Sequence, residues 1–94
     1  MTTQPWDRWE RALARFDWAV HEMKVEDAKP LRQRDSGIYR ECYAVIETWA
    51  LFFGVPEDDD DEERYFDTIR RAVLRERDGA RRAVLQERAR EEAE

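Results

Sequence analysis

WDRWERALARFDWAVHEM, residues 6–23, places Trp6, Trp9, Leu13, Phe16, Val20 and Met23 at steps of three, four, three, four and three. That spacing is one continuous stripe along a helix. A helix with two tryptophans and a phenylalanine on one face cannot stay solvated alone, so the rest of the chain or a second copy must cover it. The fold is therefore expected to be all-α, and the remaining sequence is read for helices able to pack on this stripe.

Working outward, Thr3 is a candidate N-cap with Pro5 tolerated in the first turn, and the helix is expected to span about residues 4–25. Glu26 to Ser36 mixes charges around Lys29-Pro30, where proline disfavours helix in the residue before it, so this is the first connection. Asp35 or Ser36 can cap a second helix over 36–53. Its Ile38, Tyr39, Cys42, Val45, Ile46, Trp49, Phe52 and Phe53 cover more than half the circumference. A helix that apolar is expected at the centre of a bundle or in a subunit contact. Gly54 followed by Pro56 marks its end as a left-handed C-cap and stop.

A third helix is predicted over 58–92. Its acidic start, Glu57 to Glu63, suits the helix dipole, and Phe66, Ile69, Val73, Ala80 and Val84 form its stripe. Asp78-Gly79 interrupts the pattern, but the stripe keeps its phase, which favours one continuous helix. The expectation is a single helical domain over 1–94, a three-helix bundle of antiparallel hairpins. Residues 1–78 would form the packed part and 79–94 a charged, protruding helical extension.

Composition supports a folded chain. Ninety-four residues make one domain, and 43% charged residues stand beside 41% hydrophobic ones. The net charge of −6 argues against nucleic acid or anionic membrane covering the whole surface. Fifteen arginines against two lysines suit a GC-rich genome as well as any need for guanidinium. With Cys42 the only cysteine, no internal disulfide can form, and a cytoplasmic setting is expected. The start, Met1 to Trp6, lacks the basic and apolar regions of a secretory signal. The apolar stretch Trp49 to Phe53 is too short to cross a bilayer.

Enzyme chemistry finds few parts. His21 is the single histidine, so neither a histidine-based metal site nor a serine triad can be completed, and Val25 stands where a zinc-protease motif begun by His21-Glu22 needs its second histidine. Cys42 lies on an apolar helix face, where a small buried thiol is expected. Asp58 to Glu63 lacks the alternating ligands and glycine of a calcium loop. The carboxylate pairs Glu22/Glu26 and Glu63/Asp67 have no matching set elsewhere. No catalytic residue, metal or cofactor is expected.

What remains are surfaces. The aromatics Trp6, Trp9, Phe16, Trp49, Phe52, Phe53 and Phe66 fall on stripes expected to be buried. Trp18 does not; with Ala14, His21 and Val25 it forms a second, smaller face opposite the first. It is either an interface anchor or a ring shielded by Leu31 of the first loop. On the third helix, Ile69 to Arg90 holds eight arginines and three acids, a local charge of +5. Arg70, Leu74, Arg77, Arg81, Leu85 and Arg88 share one face. The i,i+4 pairs Asp67/Arg71, Asp78/Arg82, Arg88/Glu92 and Arg90/Glu94 fit an ordinary solvated helix.

The functional expectation is a small, non-enzymatic protein-protein interaction module, an accessory or phage-derived modulator acting as monomer or homodimer. Its contacts would be Trp18, His21 and Val25 with Leu74, Arg77, Arg81 and Leu85. Its partner would be another protein or a second copy, with no membrane. The alternative is nucleic-acid binding through Arg70, Arg77, Arg81 and Arg88.

Overall fold

The computed structural model describes residues 3–93. Three helices account for most of them: α1 (Asp7–Ala28), α2 (Ser36–Phe53) and α3 (Glu62–Ala93), with a short 3-10 turn at Leu31–Gln33. The all-α expectation holds, and α3 runs unbroken through Gly79. The molecule is elongated, 65 × 31 × 17 Å.

Helix α1 begins later than expected, and Thr3 is not its cap. Proline at position 5 pushes the residue before it out of the helical region, so the chain turns first. The Gln4 N–H donates to Asp7 Oδ2 at 2.7 Å, and the Asp7 N–H donates to the Gln4 carbonyl at 3.0 Å. The helix also ends later, at Ala28, because Glu26 is held inside the fold. Only 1% of Glu26 is exposed, and its carboxylate accepts from Lys29 Nζ at 2.7 Å and from the Asp35 N–H at 2.9 Å. A buried charge needs such partners, and here they tie the end of α1 to the start of α2. Asp35 in turn caps α2, accepting from the Gly37 and Ile38 N–H groups at 2.8 and 3.3 Å.

Gly54 takes the left-handed conformation, φ 68°, and closes α2 with its N–H directed at the Ala50 and Leu51 carbonyls. The acidic run divides: residues 57–61 form a folded link, and Glu62 and Glu63 open the first turn of α3, where they suit the helix dipole as expected. Asp58 accepts from the Asp61 N–H at 3.1 Å and grips the Arg64 guanidinium at 2.6 and 2.8 Å, while Asp61 caps the helix through the Arg64 N–H at 2.9 Å. Adjacent aspartates repel one another within a helix and accept N–H bonds at its mouth.

The helix at the centre is α1, not α2 as its apolar breadth suggested. α1 buries Trp9, Ala12, Leu13, Phe16, Ala19, Met23 and Glu26, whereas α2 buries only Cys42, Ile46 and Ala50. Two faces of α1 are used. Ala12, Ala19 and Glu26, seven apart, turn toward α2, where Cys42 and Ala50 are also small enough to let the helices approach closely. The other face meets α3 through a ladder of charges: Lys24 with Glu63 at 3.3 Å, Asp17 with Arg70 at 3.0 Å, Glu10 with Arg77 at 3.5 Å. Each rung steps seven residues down α1 and seven up α3, the register of an antiparallel coiled-coil pair. Arg81 over the Trp6 ring, 5.7 Å from its centroid, continues the same register.

Contacts of Trp9 with Trp49 and Phe53, and of Glu26 with Asp35, make α2 antiparallel to α1 as well. Consequently α2 and α3 run parallel. This corrects the expectation of antiparallel neighbours throughout, because the link 54–61 carries the chain back along the bundle before α3 starts. Phe16, Met23, Ile46, Phe66 and Ile69 fill the middle of the core, and Trp9, Leu13 and Val73 close one end. At 1.5 Å per residue, α3 is about 48 Å long, and residues 85–93 stand exposed beyond the start of α1.

Candidate functional site

On the side of α1 away from α3, a cleft of about 530 Å³ opens between α1 and α2. Its apolar floor is Trp9, Ala12, Trp49 and Phe52; Thr48 lies on the α2 side, and Arg8, Arg11 and Arg15 form the α1 rim. The arginines share a side because they stand three and four residues apart on one helix. Trp49, Phe52 and Phe53 are packed with Trp9, the four ring centroids lying 5.0–6.3 Å apart. Such offset and edge contacts make a stiff aromatic platform.

The platform is not sealed. Phe52, expected in the core, is 66% exposed, and Leu51 beside it 77% exposed. The breadth of apolar residues on α2 is therefore a core face plus an outward flank. The rim arginines differ in their engagement. Arg8 lies over the Trp9 ring at 4.8 Å, Arg15 lies over the Trp18 ring at 4.7 Å and meets Glu41 at 3.5 Å, and Arg11 makes no ion pair among the described residues.

Trp18 is 37% exposed at the margin of this cleft, its indole covered by Arg15. Leu31 keeps 79% of its own surface in solvent, too much for a lid pressed on the ring. His21 and Val25 are exposed farther along α1. Leu74 packs against the Trp9/Val73 cluster, Arg77 pairs with Glu10 and Asp78, and Arg81 covers Trp6, so these three side chains stitch α3 to α1. Arg81 and Leu85 line a shallow depression of about 300 Å³ with Asp78 and Arg82. The two contact groups expected from sequence are thus not brought into one surface. Of the arginines considered for nucleic acid, Arg70 and Arg77 hold α1 carboxylates and Arg81 an indole, while Arg88 lies on the exposed end of α3. Asp67/Arg71 closes at 2.8 Å; Arg90/Glu94 falls outside the described residues.

Burial, with Glu22 and Glu41 nearby, pushes the Cys42 thiol above its ordinary value, away from the thiolate a nucleophile needs. Among the described residues no three His, Cys, Asp or Glu side chains gather where a metal ion could bind. Glu26, Glu63 and Asp67 are instead engaged by Lys29, Lys24 and Arg71. No helix among the described residues is long and apolar enough to cross a membrane.

Sequence reasoning missed the cleft. Arg8, Arg11 and Arg15 at helical spacing were a visible signal, but only the pairing of α1 with α2 places Phe52 opposite them. Comparison with known protein families, with curated proteins and with solved structures finds no match.

Proposed function

We propose that this chain is a non-enzymatic protein-interaction module, an accessory protein of the cytosol that modulates another protein by docking it on the cleft between α1 and α2. The single observation that carries this reading is the exposure of Leu51 and Phe52 beside an arginine-rimmed aromatic floor. A small chain gains nothing in stability from leaving two large apolar side chains in water next to a ready-made concave surface. Interface anchors have this composition: aromatic rings and arginines, with an apolar centre and a polar rim.

The test is site-specific photocrosslinking in the cells the protein comes from. A benzophenone-bearing phenylalanine in place of Phe52 is expected to capture one or a few discrete protein adducts. The same group in place of exposed Arg75, on the far side of α3, is expected to capture none. Equal capture at both positions, or none at position 52, contradicts the reading.

A further inference from the structure

We infer that the occupant of the cleft is an acidic amphipathic helix of the partner protein, whose apolar side lies on Trp49 and Phe52 and whose carboxylates meet Arg8, Arg11 and Arg15. The inference rests on the interaction reading above and adds the chemistry of the partner.

Charge complementarity carries it. On the α3 side of α1 each ladder cation faces its own carboxylate within 3.5 Å. On the α2 side three arginines occupy the rim, with Glu41 at one end as the paired acid. A chain of net charge −6 thus presents a cationic strip on this apolar opening, and a partner with carboxylates beside apolar side chains fits both properties at once. Arg11, exposed and without an ion pair among the described residues, is the rim position most able to accept a new carboxylate.

A helix is the form that fits. The cleft lies between two antiparallel helices and exposes no unpaired backbone edge to which a strand could add. A fourth helix laid on α1 and α2 extends the bundle by the packing already in use. Side chains at i, i+3 or i+4, and i+7 of such a helix match the spacing of Arg8, Arg11 and Arg15. A second copy of the chain fits less well, because a twofold contact through this cleft sets the arginine row against itself. Nucleic acid fits less well too. Stacking successive bases needs several open ring faces, and with Arg8 and Arg15 over Trp9 and Trp18 the well-exposed ring of the cleft is Phe52 alone.

The test uses the full chain and two synthetic helical peptides with the same leucine and phenylalanine stripe, one flanked by glutamates and one by lysines. Binding is followed by calorimetry at low and high salt. The acidic peptide is expected to bind below about 0.1 mM, at least about tenfold more tightly than the lysine peptide, and more weakly as salt rises. Arg11→Glu is expected to weaken it by about tenfold while leaving the circular-dichroism melt unchanged.

Equal affinity for the two peptides, no binding of the acidic one, or indifference to Arg11→Glu overturns the inference. So does Arg11-dependent binding of single-stranded RNA in place of the peptide, or light scattering that shows a dimer dissolved by Arg11→Glu. If the peptides fail while photocrosslinking at position 52 succeeds, the partner chemistry is wrong and the interaction reading stands. If both fail, the reading falls with it.

Discussion

Asp17 and Arg70, 53 positions apart in the chain, meet at two points, with Nε 3.0 Å from one carboxylate oxygen and Nη2 3.4 Å from the other. The pair is the middle rung of the ladder that sets the register of α3 on α1. Both side chains are partly exposed, so the contribution is modest, about 0.2–1 kcal/mol. Arg70→Asp places like charges together and is expected to destabilise by about 1 kcal/mol; adding Asp17→Arg restores most of the loss. Urea denaturation of the single and double variants checks this, and high salt is expected to shrink the difference.

The two glycines on either side of the acidic link are expected to respond oppositely to alanine. An added Cβ meets no atom within 4 Å at Gly54 or at Gly79, so backbone conformation alone decides. Gly54→Ala forces a side chain into φ 68° and is expected to cost about 1 kcal/mol. Gly79→Ala, inside α3, is expected to gain about 0.8–1 kcal/mol by removing backbone freedom from the unfolded chain. Thermal melts of the two variants read the signs directly.

Phe16 and Phe52 belong to the same aromatic population in sequence but to different environments in the fold. Phe16 is 1% exposed between the three helices, and Phe16→Ala is expected to cost about 3–5 kcal/mol, enough to unfold much of a small domain. Phe52→Ala removes an outward ring and is expected to cost less than about 1.5 kcal/mol. Loss of partner binding without loss of fold in Phe52→Ala separates the cleft from the core; a collapse of the helical signal contradicts that separation.

Acid is expected to loosen the two tied corners. The Lys29 ammonium, helped by the Asp35 N–H, holds Glu26 below its ordinary 4.5 against the opposing effect of burial, and Arg64 holds Asp58 below its ordinary 3.8. In both, the folded form binds its proton less readily than the unfolded chain. The stabilisation is therefore complete above about pH 4.5 and is lost as pH falls through the lowered values. The urea midpoint followed from neutral pH down to pH 3 is expected to fall less steeply in Glu26→Gln and Asp58→Asn than in the parent chain.

Helices are legible in this sequence where local rules agree: the bounds of α2 follow from Asp35 and Gly54, and continuity through Gly79 follows from the phase of the stripe. Order of packing is not legible in the same way. Apolar breadth made α2 look central, but Ala12 and Ala19, which carry little hydrophobic signal, are what open a second face on α1. Glu26 reads as loop until Lys29 and the Asp35 N–H are folded around it. The ladder was present as charges seven apart on residues 10, 17 and 24 and on 63, 70 and 77, yet its pairing depends on a register that only the folded chain supplies. The cleft has the same origin, since Phe52 and Arg11 lie 41 positions apart and acquire meaning only when α1 and α2 pack.

The most direct measurement is a proton–nitrogen correlation spectrum, in which the four tryptophans give four indole N–H signals. On adding the acidic helical peptide, the signals of Trp9 and Trp49, on the cleft floor, are expected to move, while that of Trp6, under Arg81 near the α3 register, stays in place. Movement of Trp6 with Trp9 and Trp49 unmoved would contradict the account, because binding would then lie on the α1–α3 side and not in the cleft.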